Sequence, residues 1–227
     1  MKKRNWIRLA LLSLPIAAAG CGGTSTGNGL ISVRAFDATP GQASINIAVG
    51  ANIVMSGGTY GTGTGYQSIA QTGSQLFLMT SNTGATLSDP TYNLQSNTSY
   101  TLYGTGPVAS PSLILISEDH SSPGANARVN LVNLSSVTGN TDVYLTAPGA
   151  TLTGATPTVT GLAFQSNFAA LVAPGSYEVR FCTVGTKTVV ADQTVGALVA
   201  GQLVRYLMID SSTGTAPETI VSLADGS

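Results

Sequence analysis

Glu118, Asp119 and the lone histidine, His120, form the one place in the chain where carboxylates and an imidazole meet. A serine–histidine–acid relay would have to use His120, and no strand-to-helix elbow is available to present a serine to it. The trio also falls short of a metal site. A calcium loop needs several alternating oxygen ligands and a zinc site three or four nitrogen or sulfur ligands, and neither spacing occurs. The expectation is a solvated linker, with no metal and no cofactor. Cys182 lies in Tyr177-Glu178-Val179-Arg180-Phe181-Cys182 without a general base nearby, which reads as a free structural thiol. Asp142 opens the apolar run Val143-Tyr144-Leu145, where its carboxylate can accept N–H bonds from an adjoining turn. The glycine-rich stretch from Gly57 to Tyr66 lacks the lysine and the following helix of a phosphate cradle, so it reads as an inter-strand loop. No catalytic residue is assigned, and the chain is not expected to be an enzyme.

The elements that must position these residues are strands. From Leu30 onward, apolar residues recur with period two in short runs separated by Gly, Pro, Asn and Ser, and helical periodicity is missing. Tyr177, Val179 and Phe181 share one face, and Glu178, Arg180 and Cys182 the other. Leu113 to Ile116 is apolar on both faces, which predicts a strand covered on both sides or one that buries an edge against a neighbouring unit. A repeat runs through the pattern. Ile31-Ser32-Val33-Arg34 and Ser44 to Val49 align with Ala127-Arg128-Val129-Asn130 and Asn140 to Leu145. Further on, Gly73 to Leu78 aligns with Gly175 to Arg180, and Ser99 to Tyr103 with Leu203 to Leu207. The prediction is an all-β fold of two tandem antiparallel β-sandwich domains, residues 30–121 and 125–227, joined near Ser121 to Ala125.

The N-terminus sets the compartment. Lys2, Lys3, Arg4 and Arg8 precede a short apolar core from Leu9 to Ala19, the pattern of a secretory signal peptide over residues 1–20. That core is too short to span a bilayer. It ends in Ala18-Ala19-Gly20-Cys21, which resembles a bacterial lipobox although Ala18 stands where leucine is usual. The resemblance implies that Cys21 is acylated and anchors the chain to the membrane, since two or three acyl chains make attachment effectively permanent. Gly22 after the cysteine points to the outer membrane or cell surface. Residues 21–29 read as the lipidated cysteine and a flexible tether. Without the signal, five basic residues stand against ten acidic ones, a net charge of −5. The five, Arg34, Arg128, Arg180, Lys187 and Arg205, are scattered, which excludes a nucleic-acid partner. With Cys21 acylated, Cys182 has no partner for an intramolecular disulfide.

Ala127 to Leu134, Thr141 to Leu145, Leu171 to Arg180 and Ala200-Gly201-Gln202 resemble the domain of unknown function 4397, over essentially Leu30 to Asp225. The second copy is the clearer. In the first, Asn46 replaces Asp142, and Gln71 to Ser74 stands for Ala173 to Ser176. The resemblance implies β-sandwiches of immunoglobulin or transthyretin type in bacterial surface lipoproteins, with no established activity. The leading expectation is a non-enzymatic envelope module used for structural or protein-contact purposes. The alternative is a glycan- or ligand-binding adhesion module in which Tyr60, Tyr66, Tyr92 or Tyr103 stack on sugar faces. An outer-membrane barrel ranks third, because aromatic girdles are sparse.

Overall fold

In a computed structural model of the chain, residues 29–224 are described. The signal sequence, the lipobox with Cys21 and most of the tether lie outside them. No helix occurs among the described residues, and none is long and apolar enough to cross a membrane. The first half of the chain contributes β1 (Ile31–Asp37), β2 (Ile45–Val49), β3 (Asn52–Gly58), β4 (Gln67–Ile69), β5 (Gly73–Ser81), β6 (Thr86–Ser88), β7 (Thr91–Leu94), β8 (Ser99–Thr105) and β9 (Ser112–Glu118). The second half contributes β10 (Ala127–Asn133), β11 (Thr141–Thr146), β12 (Val159–Leu162), β13 (Ser166–Val172), β14 (Gly175–Thr183), β15 (Val189–Leu198), β16 (Leu203–Ile209) and β17 (Thr219–Ala224).

These strands form four open sheets. In the first half, β4-β1-β8-β9 faces β3-β2-β5-β6, with β7 also paired to β5. In the second half, β13-β10-β16-β17 faces β12-β11-β14-β15. Between the first pair of sheets, Val33, Ile45, Ile47, Phe77, Met79 and Leu102 are buried. Between the second pair lie Val129, Leu131, Val143, Val179, Phe181 and Met208. The period-two alternation therefore places Tyr177, Val179 and Phe181 against a core, as the sequence predicts, with Glu178, Arg180 and Cys182 opposite.

Two expectations change. Two of the four sheets are mixed, not antiparallel: β1 pairs parallel with β8, and β10 parallel with β16, while the other two sheets are antiparallel throughout. Alternation reports which face a side chain takes and says nothing of strand direction, and a chain returning from the opposite sheet can enter in either sense. The strands are also not all half-buried. Phe36, Tyr103, Ile116, Val132, Leu134, Leu207 and Ile209 form a third apolar layer between the β4-β1-β8-β9 and β13-β10-β16-β17 sheets. Central strands β1, β8, β10 and β16 are thus covered on both faces. The run from Leu113 to Ile116 is an edge strand of this kind: Leu113 belongs to the first core and Ile116 to the shared layer.

The register carries the internal correspondence. Ser32 pairs with Ser99 in the first half where Arg128 pairs with Leu203 in the second. Likewise Ile45 pairs with Ser81 where Thr141 pairs with Thr183.

Candidate functional site

Among the described residues, a cluster of buried charge lies where the halves meet. Glu118 ends β9 and Arg205 stands on β16; the two form an ion pair between side chains only 3% and 2% exposed. Thr101 on β8 accepts from Arg34 Nε at 2.9 Å and from Arg205 Nη1 at 3.4 Å, while Arg34 Nη1 donates to the Ala224 carbonyl at 2.7 Å. The Arg34 guanidinium also lies over the Tyr66 ring, 4.5 Å from its centroid, and His120 meets that ring edge-on at 5.3 Å. Burial holds the Tyr66 hydroxyl above its usual range. The expectation of a solvated linker at Glu118-Asp119-His120 is overturned for Glu118. It holds for Asp119, whose side chain is 64% exposed. Nothing in the local sequence signals this pair, because Arg205 lies 87 residues from Glu118 and only the stacking of two sheets brings them together.

A second set of contacts fastens loops across the same boundary. In the glycine-rich loop, the Tyr60 hydroxyl donates to the Asp210 carbonyl, and Gly63 bridges to Phe36 so closely that an added Cβ would meet that ring at 3.1 Å and Leu223 at 3.4 Å. Gly57 and Gly58 end β3, and from Thr59 the stretch is an inter-strand loop, as expected, which also wedges the halves together. Asp210 receives the Ser136 amide at 3.1 Å and the Ser136 hydroxyl at 2.8 Å. In the sequence Asp210 is one acid at the end of an apolar run, with no local feature to set it apart.

Asp142 has the structural role its position suggests. Oδ1 accepts from Gly161 N at 2.8 Å and Oδ2 from Gly185 N at 2.9 Å. Asn46 makes the matching bond in the first half: its Oδ1 accepts from Gly57 N at 2.9 Å, and Gly57 and Gly161 share a left-handed φ of 63°. The amide differs usefully. Asn46 Nδ2 donates to the Ser81 carbonyl at 3.4 Å, where Asp142 needs a second acceptor for Gly185.

The remaining candidates are also tied into the framework. Cys182 is a free, buried thiol packed with Tyr144, Leu152 and Ala155, and burial pushes its pKa up, away from thiolate chemistry. Arg180 bonds the Ala150 carbonyl and Glu178, and that bond holds the Glu178 carboxyl below its usual range. Lys187 Nζ donates to the carbonyls of Leu152 and Ala155. Arg128 donates to Asp119 and Ser121 carbonyls and pairs with Asp119 at 3.1 Å. The Asp119 carboxyl is held low chiefly by hydrogen bonds from Ser121.

Among the described residues, shallow clefts open on the surface, two of them larger than a third. One, of about 490 Å³, is lined by Leu152, Glu178, Arg180, Lys187, Val189 and Asp192; the other, of about 410 Å³, by Asn93, Gln95, Tyr100, Ser117 and Asp119. Among the described residues, no group of three or more His, Cys, Asp or Glu side chains could hold a metal ion. The four tyrosines expected to stack on sugars do not form an exposed platform. Tyr103 is wholly buried, Tyr92 packs edge-on to Phe77, and Tyr60 and Tyr66 are half-buried in the boundary between the halves.

A search of curated proteins finds no match. Among solved structures, a Bacteroides fragilis protein provisionally described as a cell adhesion protein aligns with 83% of this chain and 86% of its own, at 10% identity and a TM-score of 0.26. The model of the domain of unknown function 4397 matches residues 31–144, that is, the first half and the opening strands of the second. The clearer match was expected in the second half; the family model instead begins at β1 and ends within β11. On that match, which spans half of the sequence, the chain belongs to the domain of unknown function 4397 family.

Proposed function

We propose that the protein is a non-enzymatic surface module of the bacterial envelope, anchored through acylated Cys21 and used for structural or protein-contact purposes. One observation carries the reading. The chemistry-bearing side chains, Glu118, Asp142, Glu178, Arg180, Cys182, Lys187 and Arg205, are each committed to holding strands and loops in place. A framework that fixes its own reactive groups this way presents shape and backbone to partners. The matched registers of β1/β8 and β10/β16 support reading residues 30–121 and 125–227 as two copies of one sandwich domain.

Metabolic labelling with a fatty-acid analogue tests the anchor. The wild-type chain takes the label and fractionates with the outer membrane, and Cys21→Ser loses both; a labelled Cys21→Ser chain overturns the reading. Glycan binding is the second reading. With Tyr103 buried and Tyr60, Tyr66 and Tyr92 half-buried, no stacking platform is exposed and surface clefts are left as its sites, so a glycan array without signal sets it aside.

A further inference from the structure

An edge strand carries a row of unpaired N–H and C=O groups, and soluble folds shield such edges by shortening them, bulging them, or placing charge or proline along them. Most edges of this molecule are shielded. β4 has three residues. β3, β12 and β15 have register shifts along their pairings. Asp89-Pro90 breaks the edge between β6 and β7. On β9, Leu113 N donates to Ser88 Oγ and its carbonyl accepts from Tyr92. On β17, the Ala224 carbonyl accepts from Arg34.

β13 is different. All seven residues, Ser166 to Val172, pair with β10 in unbroken register. The strand contains no charge and no proline. Phe168 and Leu171 are 37% and 59% exposed, and Asn167 and Ala169 are exposed beside them. In the first half the corresponding position, antiparallel to β1, is occupied by the three-residue β4.

We propose that the free edge of β13 pairs antiparallel with β13 of a second copy of this chain, about a two-fold axis through Ala169, joining the two β13-β10-β16-β17 sheets into one. Directly opposed residues in an antiparallel pair share a face. This register sets Phe168 against Ala170, Asn167 against Leu171 and Ser166 against Val172. A large ring meets a small residue, so each Phe168 covers its open flank on the partner's Ala170, and no like charges are opposed. The strand is thus its own complement. Seven residues bury less than the roughly 1,200 Å² of a standard interface, so the dimer is weak in solution, and confinement on a membrane strengthens it. The pairing goes beyond the proposed function and holds whether or not Cys21 is acylated.

The test uses the full chain with Ala169→Cys, which sets two exposed thiols across the axis. Ser68→Cys on β4 is the control. Under mild oxidation, Ala169→Cys gives a disulfide-linked dimer at least about tenfold more abundant than Ser68→Cys, and analytical ultracentrifugation finds association weakened about tenfold or more by Ala169→Lys, which opposes two ammonium groups. Equal cross-linking at the two positions overturns the proposal. So does an Ala169→Lys chain that associates as tightly as wild type, a wild-type chain that stays monomeric, or an Ala169→Cys chain that couples to other envelope proteins in place of its own copy. Loss of fatty-acid labelling with dimerisation intact would count against the anchor alone.

Discussion

Asp37 ends β1 with its side chain wholly buried. Oδ1 accepts from Thr39 N at 2.8 Å, while Oδ2 has no hydrogen-bond partner. Burial raises its pKa to about 6, against the opposing pull of the Thr39 bonds. The native state therefore holds the proton over a range in which the unfolded chain has lost it. Stability is highest below about pH 4 with respect to this group and falls as pH rises towards 6, by roughly 2–3 kcal/mol in all. Asn133 makes the corresponding turn in the second half, accepting from Ser135 N at 3.1 Å, so an amide suits the site. Asp37→Asn is expected to abolish that fall. Denaturant midpoints of both chains between pH 4 and 7 check it: parallel profiles would show that Asp37 ionises freely in the fold. Glu178 and Asp119, with lowered pKa values, act in the opposite sense at lower pH and cancel in the comparison.

At the scale of elements, β9 and β16 are joined across the halves by Glu118 and Arg205. Removing one member of a buried pair leaves an uncompensated charge and typically costs about 3–5 kcal/mol, whereas replacing both with apolar groups is often nearly neutral. Glu118→Ala is expected to lower stability by that order, because Arg34 and Arg205 then share Thr101 with one acid fewer between them. Combining Glu118→Leu with Arg205→Met is expected to recover most of the loss, as measured by urea unfolding. If the double variant is as unstable as the single, the cost arises from packing and not from stranded charge. In the sequence Glu118 is legible only as a member of the Glu118-Asp119-His120 cluster and Arg205 only as an isolated charge. Strand alternation places Glu118 on a face, but which sheet covers that face is not written in β9 itself. Asp142 is legible as an acceptor for backbone N–H groups at the start of its strand, but its partners, Gly161 in β12 and Gly185 after β14, are brought to it by strand pairing.

The whole molecule is held by three apolar layers where two separate sandwiches need only two. The middle layer contains Phe36, Tyr103, Val132 and Leu207, each essentially inaccessible. Burial on that scale couples the halves, so a single cooperative transition is expected, with far- and near-ultraviolet circular dichroism melting together. Leu207→Ala should destabilise the entire molecule by about 2–5 kcal/mol. Two resolved transitions in the wild-type chain would mean that the middle layer packs without coupling.

The sequence alone determined strands and no helix after Leu30, the faces of β14 and the family resemblance. The first two rest on local physics, the two-residue period of a pleated strand. The tertiary structure alone decided the parallel pairings of β1 with β8 and β10 with β16, the burial of Arg34, Glu118 and Arg205, the half-burial of Tyr60 and Tyr66, and the exposed edge of β13. Those depend on which sheet lies over which, and a strand's sequence records that a face is apolar or polar without recording what will cover it.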